Sequence, residues 1–316
     1  MPSIFRFGPF ITKIFFIIFS KLSKYDILNC ITMQRSFSIS MQKNYCVIGS
    51  PISHSLSPAI HTMLYTRYGL DCIYDRMLVT SKTLASFVGS IRERRISGFN
   101  ITMPLKQAIL PYLRYVSPEA CGGINTVVVH PDGLYGYSTD AQGFLAALQS
   151  TGSDYRGANI VFIGAGTVTK LLADDAAEKG AQSIVIVNRT LEKAQKIARQ
   201  ISAVSDRLAN IGCYLKNCDL LINTTPLGMN GTGSDFEDLS FLDALPGHAA
   251  VCDLIYAPAQ TSFLKYANTR GLKTMNGLGM LIWQGFFSFE KWFHILPGQR
   301  DYDAVEQELT RLLGQK

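Results

Sequence analysis

The sequence predicts an α/β fold of two units, the second built on a parallel β-sheet with helices on both faces. From Tyr45 onward, strand-like segments alternate with helix-like segments, which is the element order of α/β folds. In the second half, the strands "NIVFIGAG" and "SIVIVN" are almost continuously apolar, as is typical of parallel strands buried on both faces. A chain of 316 residues is long enough to form two cores of ordinary size.

The composition indicates a globular protein and excludes several functional classes. Hydrophobic residues make up 47% of the chain and charged residues 17%, which is not the composition of a disordered protein. The formal charge is +6, but residues 1–44 contribute most of it, with six Lys and Arg against Asp26 alone. Because the rest is nearly neutral, we expect no nucleic-acid partner.

The cysteines and histidines predict neither disulfides nor a metal site. Seven cysteines are scattered without a CxxC pair, and the five histidines have no metal-binding spacing. Scattered cysteines are typical of proteins whose thiols stay reduced, so we expect a cytoplasmic location. Since neither residue type has metal-binding spacing, we expect no metal.

The first 44 residues are treated as an N-terminal extension outside the fold. Their unbroken apolar run, residues 14–19, is much shorter than the roughly 20 residues that span a bilayer. Three interpretations are open: an organelle-targeting leader, a membrane-surface anchor, or sequence read from too early a start codon. We favour the third, because Met41 lies four residues before the first convincing strand. For the folded part we expect no membrane contact.

The first unit is predicted to contain three strands, three helices and a hairpin. The strands are "YCVIGS", "CIYDRMLV" and "SGFNIT". The helix "SPAIHTMLYTRYG" has Pro58 in its first turn and Gly69 at its end. A second helix is "TLASFVGSIRERR", and another begins in "KQAILPYL". "INTVVVHPDGLYGYSTD" reads as a hairpin that turns at Pro131, Asp132 and Gly133.

The second unit begins near Asn159 and continues the alternation. Its predicted strands are "NIVFIGAG", "SIVIVNRT", "CDLLINTTP" and "AVCDLIY", and its helices cover residues 168–179 and 191–200 and the segment "TSFLKYANTRG". The long apolar helix "LGMLIWQGFFSFEKWF" follows, and the sequence does not decide on which unit it packs.

The segment "VFIGAG", residues 161–166, indicates a nucleotide site. A strand that runs through glycines into a helix lets the backbone approach a pyrophosphate at the helix N-terminus. Tight strand-to-helix turns also need glycine for steric reasons alone, and Thr169 stands where the fingerprint has its third glycine. The loop by itself therefore leaves both interpretations open.

The end of the next strand favours NADP over NAD. An NAD site usually has an acidic residue here, whereas this strand ends in Asn188, Arg189 and Thr190, followed by Lys193. A guanidinium, a hydroxyl and an ammonium suit the 2′-phosphate of NADP. The alternative is a helix N-cap beside an exposed arginine.

Hydroxyl and amide groups cluster near strand ends in the first unit and surround two ionisable residues. The turn "SPISHSLSP" carries Ser53, Ser55 and Ser57, and Asn100, Thr102, Asn125, Thr126 and Thr139 follow. Lys106 and Asp140 would form a general acid/base pair if they lie together. Separately, Lys106 would be a surface lysine and Asp140 a helix cap.

Nine ordered segments together resemble the shikimate dehydrogenase family. They are "GSPISHSLSP", "FNITMPLK", "GGINTVV", "GYSTDAQGF", "GAG", "NRT", "INTTPLGM", "DLIYAPAQT" and "NGLGMLIWQ". The resemblance covers residues 45 to about 293. It implies reduction of 3-dehydroshikimate to shikimate with NADPH, in the pathway to chorismate and aromatic amino acids. It also implies an open α/β substrate-binding domain of residues 45–145 and 277–316, and a Rossmann-type NADP-binding domain of residues 146–276.

The resemblance implies a role for each matching residue. Lys106 and Asp140 would be catalytic. The substrate carboxylate would meet Ser55 and Ser57, and the ring hydroxyls Thr102, Asn125, Asp140 and Gln284, with Tyr256 bordering the pocket. The cofactor would be held by Gly164, Ala165, Gly166 and Thr167 at the pyrophosphate, by Asn188, Arg189, Thr190 and Lys193 at the adenosine phosphate, and by Thr224, Met229 and Gly277 along the ribose and nicotinamide.

At three positions the chain departs from the family pattern. Leu105 stands where the family usually has His, Ser138 where most members have Asn, and the glycine loop reads "GAGTV" instead of "GAGGA". Leu105 would make the surroundings of Lys106 drier, and Thr167 places a Cβ where the pyrophosphate would approach.

Two alternatives stay open beside an NADP-dependent shikimate dehydrogenase. One is a quinate/shikimate dehydrogenase of broader specificity, for which use of NAD is an open option, and the other is a catalytically silent NADP-binding paralogue. A homodimer is compatible with the resemblance.

Overall fold

The computed structural model describes residues 42–120 and 123–315, and in these ranges it contains two six-stranded sheets. The two-domain α/β class predicted from the sequence is confirmed. The interpretations of residues 1–41 concern a part of the chain outside the described residues. Within the described ranges, no helix is both long and apolar enough to cross a membrane.

The first sheet is mixed and has the strand order β2-β1-β3-β5-β6-β4. Its strands are β1 Lys43–Gly49, β2 Cys72–Leu78, β3 Ile96–Ile101, β4 Tyr115–Val116, β5 Thr126–His130 and β6 Gly133–Tyr137. β1 pairs in parallel with β2 and β3, whereas β5 runs antiparallel to β3 and β6. The predicted hairpin is therefore confirmed as β5 and β6, and it brings residues 125 and 126 beside the end of β3.

The helices of this part are α1 Ser57–Arg67, α2 Leu84–Ser90 and α3 Asp140–Ser150. α1 matches its prediction, while α2 ends five residues before the predicted end at Arg95, where the backbone has a φ of 54°. The helix predicted from "KQAILPYL" is wrong: the segment contains turns and a short 3-10 helix at Leu110–Tyr112. Pro111 explains this, because proline has no amide hydrogen for a helical bond and clashes with the preceding turn.

The second sheet is entirely parallel and has the order β12-β11-β10-β7-β8-β9. Its strands are β7 Asn159–Ile163, β8 Ser183–Asn188, β9 Val204–Arg207, β10 Leu220–Asn223, β11 Ala250–Asp253 and β12 Lys273–Met275. The helices α4 Thr167–Glu178, α5 Leu191–Ala198 and α6 Ser262–Thr269 alternate with them. β9 and β12 were not predicted, because strands of four and three residues at the sheet edges carry no apolar run.

Both faces of the second sheet are buried, as the continuous apolar strands predicted. Ile160 and Phe162 of β7 belong to one hydrophobic cluster, and Val161 and Ile163 to another. Successive side chains of a strand point to opposite faces, so a strand between two cores must be apolar at every position. Because β7 pairs in parallel with β8 and β10, the carboxyl ends of these three strands lie along one edge of the sheet.

Two C-terminal helices, α7 Leu278–Phe293 and α8 Gln299–Gly314, complete the described chain. α7 has the bounds of the predicted apolar segment, and its Phe286 and Phe289 are fully buried in a cluster with Tyr45 and Val47 of the first sheet. Burial of each phenylalanine stabilises the packing by about 1.5–3 kcal/mol. α7 therefore packs chiefly on the first unit, which the sequence had left undecided.

Candidate active site

Lys106 and Asp140 form an ion pair although 34 residues separate them in the chain. Lys106 lies in the turn after β3, and Asp140 is the first residue of α3. The Lys106 Nζ donates to Asp140 Oδ2, and the two side chains are only 18% and 9% exposed. Lys106 is thus not a solvated surface lysine, and the side chain of Asp140 makes an ion pair in addition to its position at the helix start.

Asn125 holds the other side of this carboxylate. Its Nδ2 donates to Asp140 Oδ1 and to Thr139 Oγ1, both at 2.8 Å, and lies 3.2 Å from Gln284 Oε1. Its Oδ1 accepts from the Thr139 backbone nitrogen at 2.9 Å. Each carboxylate oxygen of Asp140 therefore has a donor, which fixes the carboxylate and stabilises its negative charge.

Buried polar groups next to Asn125 form hydrogen bonds that hold it in place. Asn100 donates to the Asn125 carbonyl oxygen at 3.0 Å and accepts from the Tyr74 hydroxyl at 2.6 Å. The hydroxyls of Thr126 and Ser288 lie 2.7 Å apart. Asn100 and Thr126 are buried, with 5% and 0% exposure. The sequence grouped them with residues that could face a ligand, whereas their hydrogen bonds are made inside the protein and position the site.

The serine turn after β1 is held by an arginine that the sequence analysis missed. Arg76 of β2 donates from Nε and Nη2 to the Ser55 carbonyl oxygen at 2.9 and 2.6 Å. The hydroxyl of Ser55 lies 3.3 Å from that of Ser57. The carboxyl ends of parallel strands lie at the same edge of a sheet, so the position of Arg76 near the end of β2 could have indicated that it lies beside the turn after β1. Ser53, in the same turn, is exposed.

The remaining residues predicted to bind substrate come from different segments. Thr102 follows β3, and its backbone nitrogen donates to the Ile48 carbonyl oxygen at 3.0 Å. Gln284 lies on α7 and donates to the Leu281 carbonyl oxygen at 2.8 Å. Tyr256 follows β11 and packs against the hydrophobic cluster of the first sheet, and its burial raises the pKa of its hydroxyl.

The close crossing of α3 and α7 brings Gln284 to the ion pair. A Cβ on Gly143 of α3 would lie 2.7 Å from the backbone nitrogen of Gln284, which is closer than real contacts allow. Glycine at this position lets the two helices approach, and Asn125 bridges Asp140 at the start of α3 and Gln284 on α7.

Two threonine hydroxyls connect the glycine loop to the end of β7 through hydrogen bonds. The Gly166 amide donates to Thr169 Oγ1 at 3.1 Å, and this hydroxyl lies 2.7 Å from Thr224 Oγ1. Thr224 Oγ1 in turn donates to the Ile163 carbonyl oxygen at 2.8 Å. Thr169, which replaces the expected third glycine, is therefore a buried structural element of the loop.

The loop has the shape that a pyrophosphate site needs. Gly164 has a φ of +112°, and a Cβ there would lie 2.5 Å from Thr224 Oγ1, so a larger residue would be strained and would clash. Gly166 and Thr167 are exposed, and nothing lies within 4 Å of a Cβ built on Gly166. α4 begins at Thr167, where free amides and the positive end of the helix favour an anion.

The turn after β8 presents cations to solvent. Asn188 Nδ2 donates to the Thr190 carbonyl oxygen at 2.8 Å, which fixes the turn. Arg189, Thr190 and Lys193 are exposed. Together with the open glycine loop, these side chains fit a dinucleotide that carries an additional phosphate on its adenosine ribose.

The other positions predicted to bind the cofactor lie on loops at the same edge of the second sheet. Met229 is 42% exposed in the loop after β10. Gly277 precedes α7, and a Cβ on it would lie 2.0 Å from the Leu254 carbonyl oxygen. Its amide donates to the Ile255 carbonyl oxygen at 3.0 Å, so glycine allows the loops before α7 and after β11 to touch.

Leu105, the first departure from the family pattern, lies in the core of the first unit. Leu105 is fully buried in the hydrophobic cluster that contains Ile48 and Ile109. It packs in the core of the first unit, while the next residue, Lys106, reaches Asp140. Ser138, the second departure, is also buried.

Comparison with protein families gives three matches along the chain. A model described as the shikimate dehydrogenase substrate binding domain matches residues 47–127, one described as shikimate / quinate 5-dehydrogenase matches residues 146–227, and one described as the shikimate 5'-dehydrogenase C-terminal domain matches residues 277–309.

Individual relatives are similar over most of their length. The NADP(+) shikimate dehydrogenase of Alkaliphilus metalliredigens is 39% identical over 257 residues, which are 78% of this chain and 90% of that protein. The structure of shikimate 5-dehydrogenase from Thermus thermophilus with NADP(H) and shikimate is 32% identical, with a TM-score of 0.76, over 84% of this chain and 99% of that one. The Listeria monocytogenes enzyme with shikimate and NAD is 30% identical, with a TM-score of 0.76, over 85% and 97%.

Proposed function

The chain belongs to the shikimate dehydrogenase family, and we propose that it catalyses the reversible NADPH-dependent reduction of 3-dehydroshikimate to shikimate. The reaction belongs to the pathway to chorismate and aromatic amino acids. The observation that supports this function most directly is the ion pair of Lys106 and Asp140, which Asn125 holds beside α7.

Lys106 is proposed as the proton donor in reduction. NADPH, when held by the glycine loop and the turn after β8, would supply the hydride for the carbonyl carbon of the substrate. The Lys106 ammonium donates a proton to the carbonyl oxygen as negative charge develops there, which is general acid catalysis. In the reverse direction the neutral amine accepts the hydroxyl proton.

Asp140 keeps the lysine oriented for this transfer. Its Oδ2 accepts from Lys106 and its Oδ1 from Asn125, so the carboxylate cannot rotate without breaking a hydrogen bond. The 18% exposure of the Lys106 side chain leaves a path by which solvent can return the proton after turnover.

Substrate recognition is proposed to use the serine turn after β1 and the polar residues around the ion pair. Ser55 and Ser57 would hold the carboxylate, supported by Arg76 on the Ser55 carbonyl. Thr102, Asn125, Asp140 and Gln284 would meet the ring hydroxyls, with Tyr256 at the border. Neutral hydrogen-bonding groups suit a polyhydroxylated ring, because each can donate or accept.

Cofactor recognition is proposed to follow the loops of the second sheet. Residues 164–167 would face the pyrophosphate at the start of α4. Asn188, Arg189, Thr190 and Lys193 would hold the 2′-phosphate, and Thr224, Met229 and Gly277 would lie along the ribose and nicotinamide. The hydroxyl of Thr224 already donates to Ile163, so its contribution would be to shape the loop.

We propose the same domain division as the sequence suggested, with residues 45–145 and 277–316 binding substrate and residues 146–276 binding NADP. The packing of α7 in the cluster that contains Tyr45 and Val47 supports it. We also propose a cytoplasmic location, which is supported by the free thiols among the described residues, Cys46, Cys72, Cys213, Cys218 and Cys252. A homodimer is the assembly to test, by sedimentation of the full chain.

A second candidate is a dehydrogenase that accepts quinate or NAD as well. It is favoured by the family description shikimate / quinate 5-dehydrogenase over residues 146–227 and by the NAD in the Listeria relative. Initial rates with shikimate or quinate, each with NADP⁺ or NAD⁺, separate the candidates. We expect turnover mainly with shikimate and NADP⁺. Its absence would overturn the proposed function, and cofactor binding without any turnover would indicate the silent paralogue.

A further inference from the structure

The carboxyl end of β9 places a second arginine beside the turn after β8. Arg207 is the last residue of β9 and pairs in register with Asn188, the last residue of β8. Neighbouring strands lie about 4.8 Å apart. The backbone of Arg207 therefore lies one strand spacing from the start of the turn that carries Arg189 and Thr190.

The Arg207 guanidinium is exposed and has no hydrogen bond or ion pair with another described residue. Among the described residues it makes no ion pair, and only its backbone nitrogen has a hydrogen bond to a side chain, with Asp206 Oδ1 at 2.7 Å. β9 is an edge strand, so no further strand of this sheet covers this side chain.

The neighbouring Asp206 forms no direct ion pair with the Arg207 guanidinium. Its carboxylate accepts from the Tyr214 hydroxyl at 2.8 Å and from Asn210 Nδ2 at 2.9 Å, both on the segment after β9. The Tyr214 bond is the largest cause of the lowered pKa of Asp206, and the charge of Arg207 is a small one. The acceptor atoms of Asp206 are thus occupied by other groups.

We propose that Arg207 is a specificity-determining residue that binds the 2′-phosphate of the adenosine ribose together with Arg189 and Lys193. This inference rests on the proposed function, because it assumes that the chain binds NADP. A dianionic phosphate has enough acceptors for several cations, and a guanidinium can bind it through two parallel hydrogen bonds. No sequence pattern pointed to Arg207, because β9 itself was not predicted.

The test is calorimetric binding of two small ligands that differ by the 2′-phosphate. The full-length wild type and Arg207→Ala are titrated with adenosine 2′,5′-bisphosphate and with AMP. We expect Arg207→Ala to weaken binding of the bisphosphate about five-fold or more, as the loss of a charged hydrogen bond predicts, and to change AMP binding less than about two-fold. Arg199→Ala, an exposed arginine just after α5, is the matched control and should change neither.

The same variants give a kinetic readout that a structural defect would not reproduce. With Arg207→Ala, KM for NADP⁺ should rise while kcat and the KM for NAD⁺ stay near those of the wild type. Arg207→Lys, which keeps the charge but not the fork, should recover part of the bisphosphate affinity.

Two results would overturn the assignment of Arg207. Equal weakening of both ligands would mean that the guanidinium contacts the adenine or stabilises the fold, and no weakening would mean that it does not reach the phosphate. A wild type that binds the bisphosphate no better than AMP would instead contradict NADP as the cofactor, and with it both proposals. The wild-type titration therefore separates failure of the proposed function from failure of Arg207 alone.

Discussion

The hydroxyl groups of Thr169 and Thr224 lie 2.7 Å apart and join the first turn of α4 to the loop after β10. Thr169 also accepts from the Gly166 amide, and Thr224 donates to the Ile163 carbonyl. These bonds form one chain from the glycine loop to the end of β7. A dinucleotide-binding loop is usually shaped by a third glycine, and here a hydrogen-bonded pair of threonines occupies that region.

Thr169→Val should therefore loosen the glycine loop. The substitution keeps the side-chain shape but leaves the Gly166 amide without its acceptor, which costs about 1–3 kcal/mol of unfolding free energy. We expect KM for NADP⁺ to rise several-fold with a smaller change in kcat, measured by initial rates. Thr169→Ser should restore most of the affinity, and Thr269→Val, on the exposed side of α6, is the control. An unchanged KM would show that the bond does not position the loop.

Lys106→Ala should reduce kcat by about 10²- to 10⁴-fold, the usual contribution of a general acid. KM for shikimate should change little, because the proton transfer stabilises the transition state more than the bound substrate. Lys82→Ala, which removes an exposed lysine, should leave both parameters unchanged. If kcat of the Lys106 variant equalled that of the wild type, Lys106 would have no role in proton transfer.

Arg76→Ala should impair substrate binding through the serine turn. Loss of the two bonds to the Ser55 carbonyl frees the backbone that carries Ser55 and Ser57. KM for shikimate should rise several-fold while KM for NADP⁺ stays constant. Arg76→Lys separates charge from geometry, since an ammonium keeps the charge but cannot reproduce the forked contact. Arg92→Ala is the exposed control, and a parallel rise of both KM values would argue for a general folding defect.

Asp253 should make the unfolding free energy fall as pH rises from about 4 to about 6. This residue is fully buried at the end of β11, and burial raises its pKa to about 6 from the ordinary 3.8, against hydrogen bonds from Thr261, Ile255 and Asn223. In this interval the folded state binds the proton and the unfolded state does not, so raising the pH favours unfolding, by an amount of the order of 3 kcal/mol.

The measurement is the pH dependence of denaturant unfolding for the wild type and Asp253→Asn. The asparagine variant cannot ionise, so the decrease between pH 4 and 6 that Asp253 causes should disappear, whatever the absolute stability of the variant. Asp303→Asn removes an exposed carboxylate and should retain the wild-type slope. Equal slopes for the wild type and Asp253→Asn would contradict the assignment.

Local patterns in the sequence predicted most of the elements and failed where a local signal was weak or misleading. The apolar runs in β7 and β8 are set by burial on two faces, and α7 has the bounds of its apolar segment. β9 and β12 were not predicted, because short strands at the edge of a sheet need few apolar residues. The segment after Lys106 was taken for a helix because its apolar residues have helical spacing, although Pro111 prevents a helix from forming.

The α/β class, the glycine loop and the residue types of the site depend on local backbone preference and on the spacing of apolar residues, so they could be predicted from the sequence. Which of those residues contact one another depends on the tertiary structure. Lys106 contacts Asp140, Arg76 holds Ser55, and Arg207 pairs in register with Asn188. Each of these pairs joins segments that are distant along the chain, and their contact depends on strand order, strand register and helix crossing. Those features are set by the packing of the whole core, which no short stretch of sequence contains.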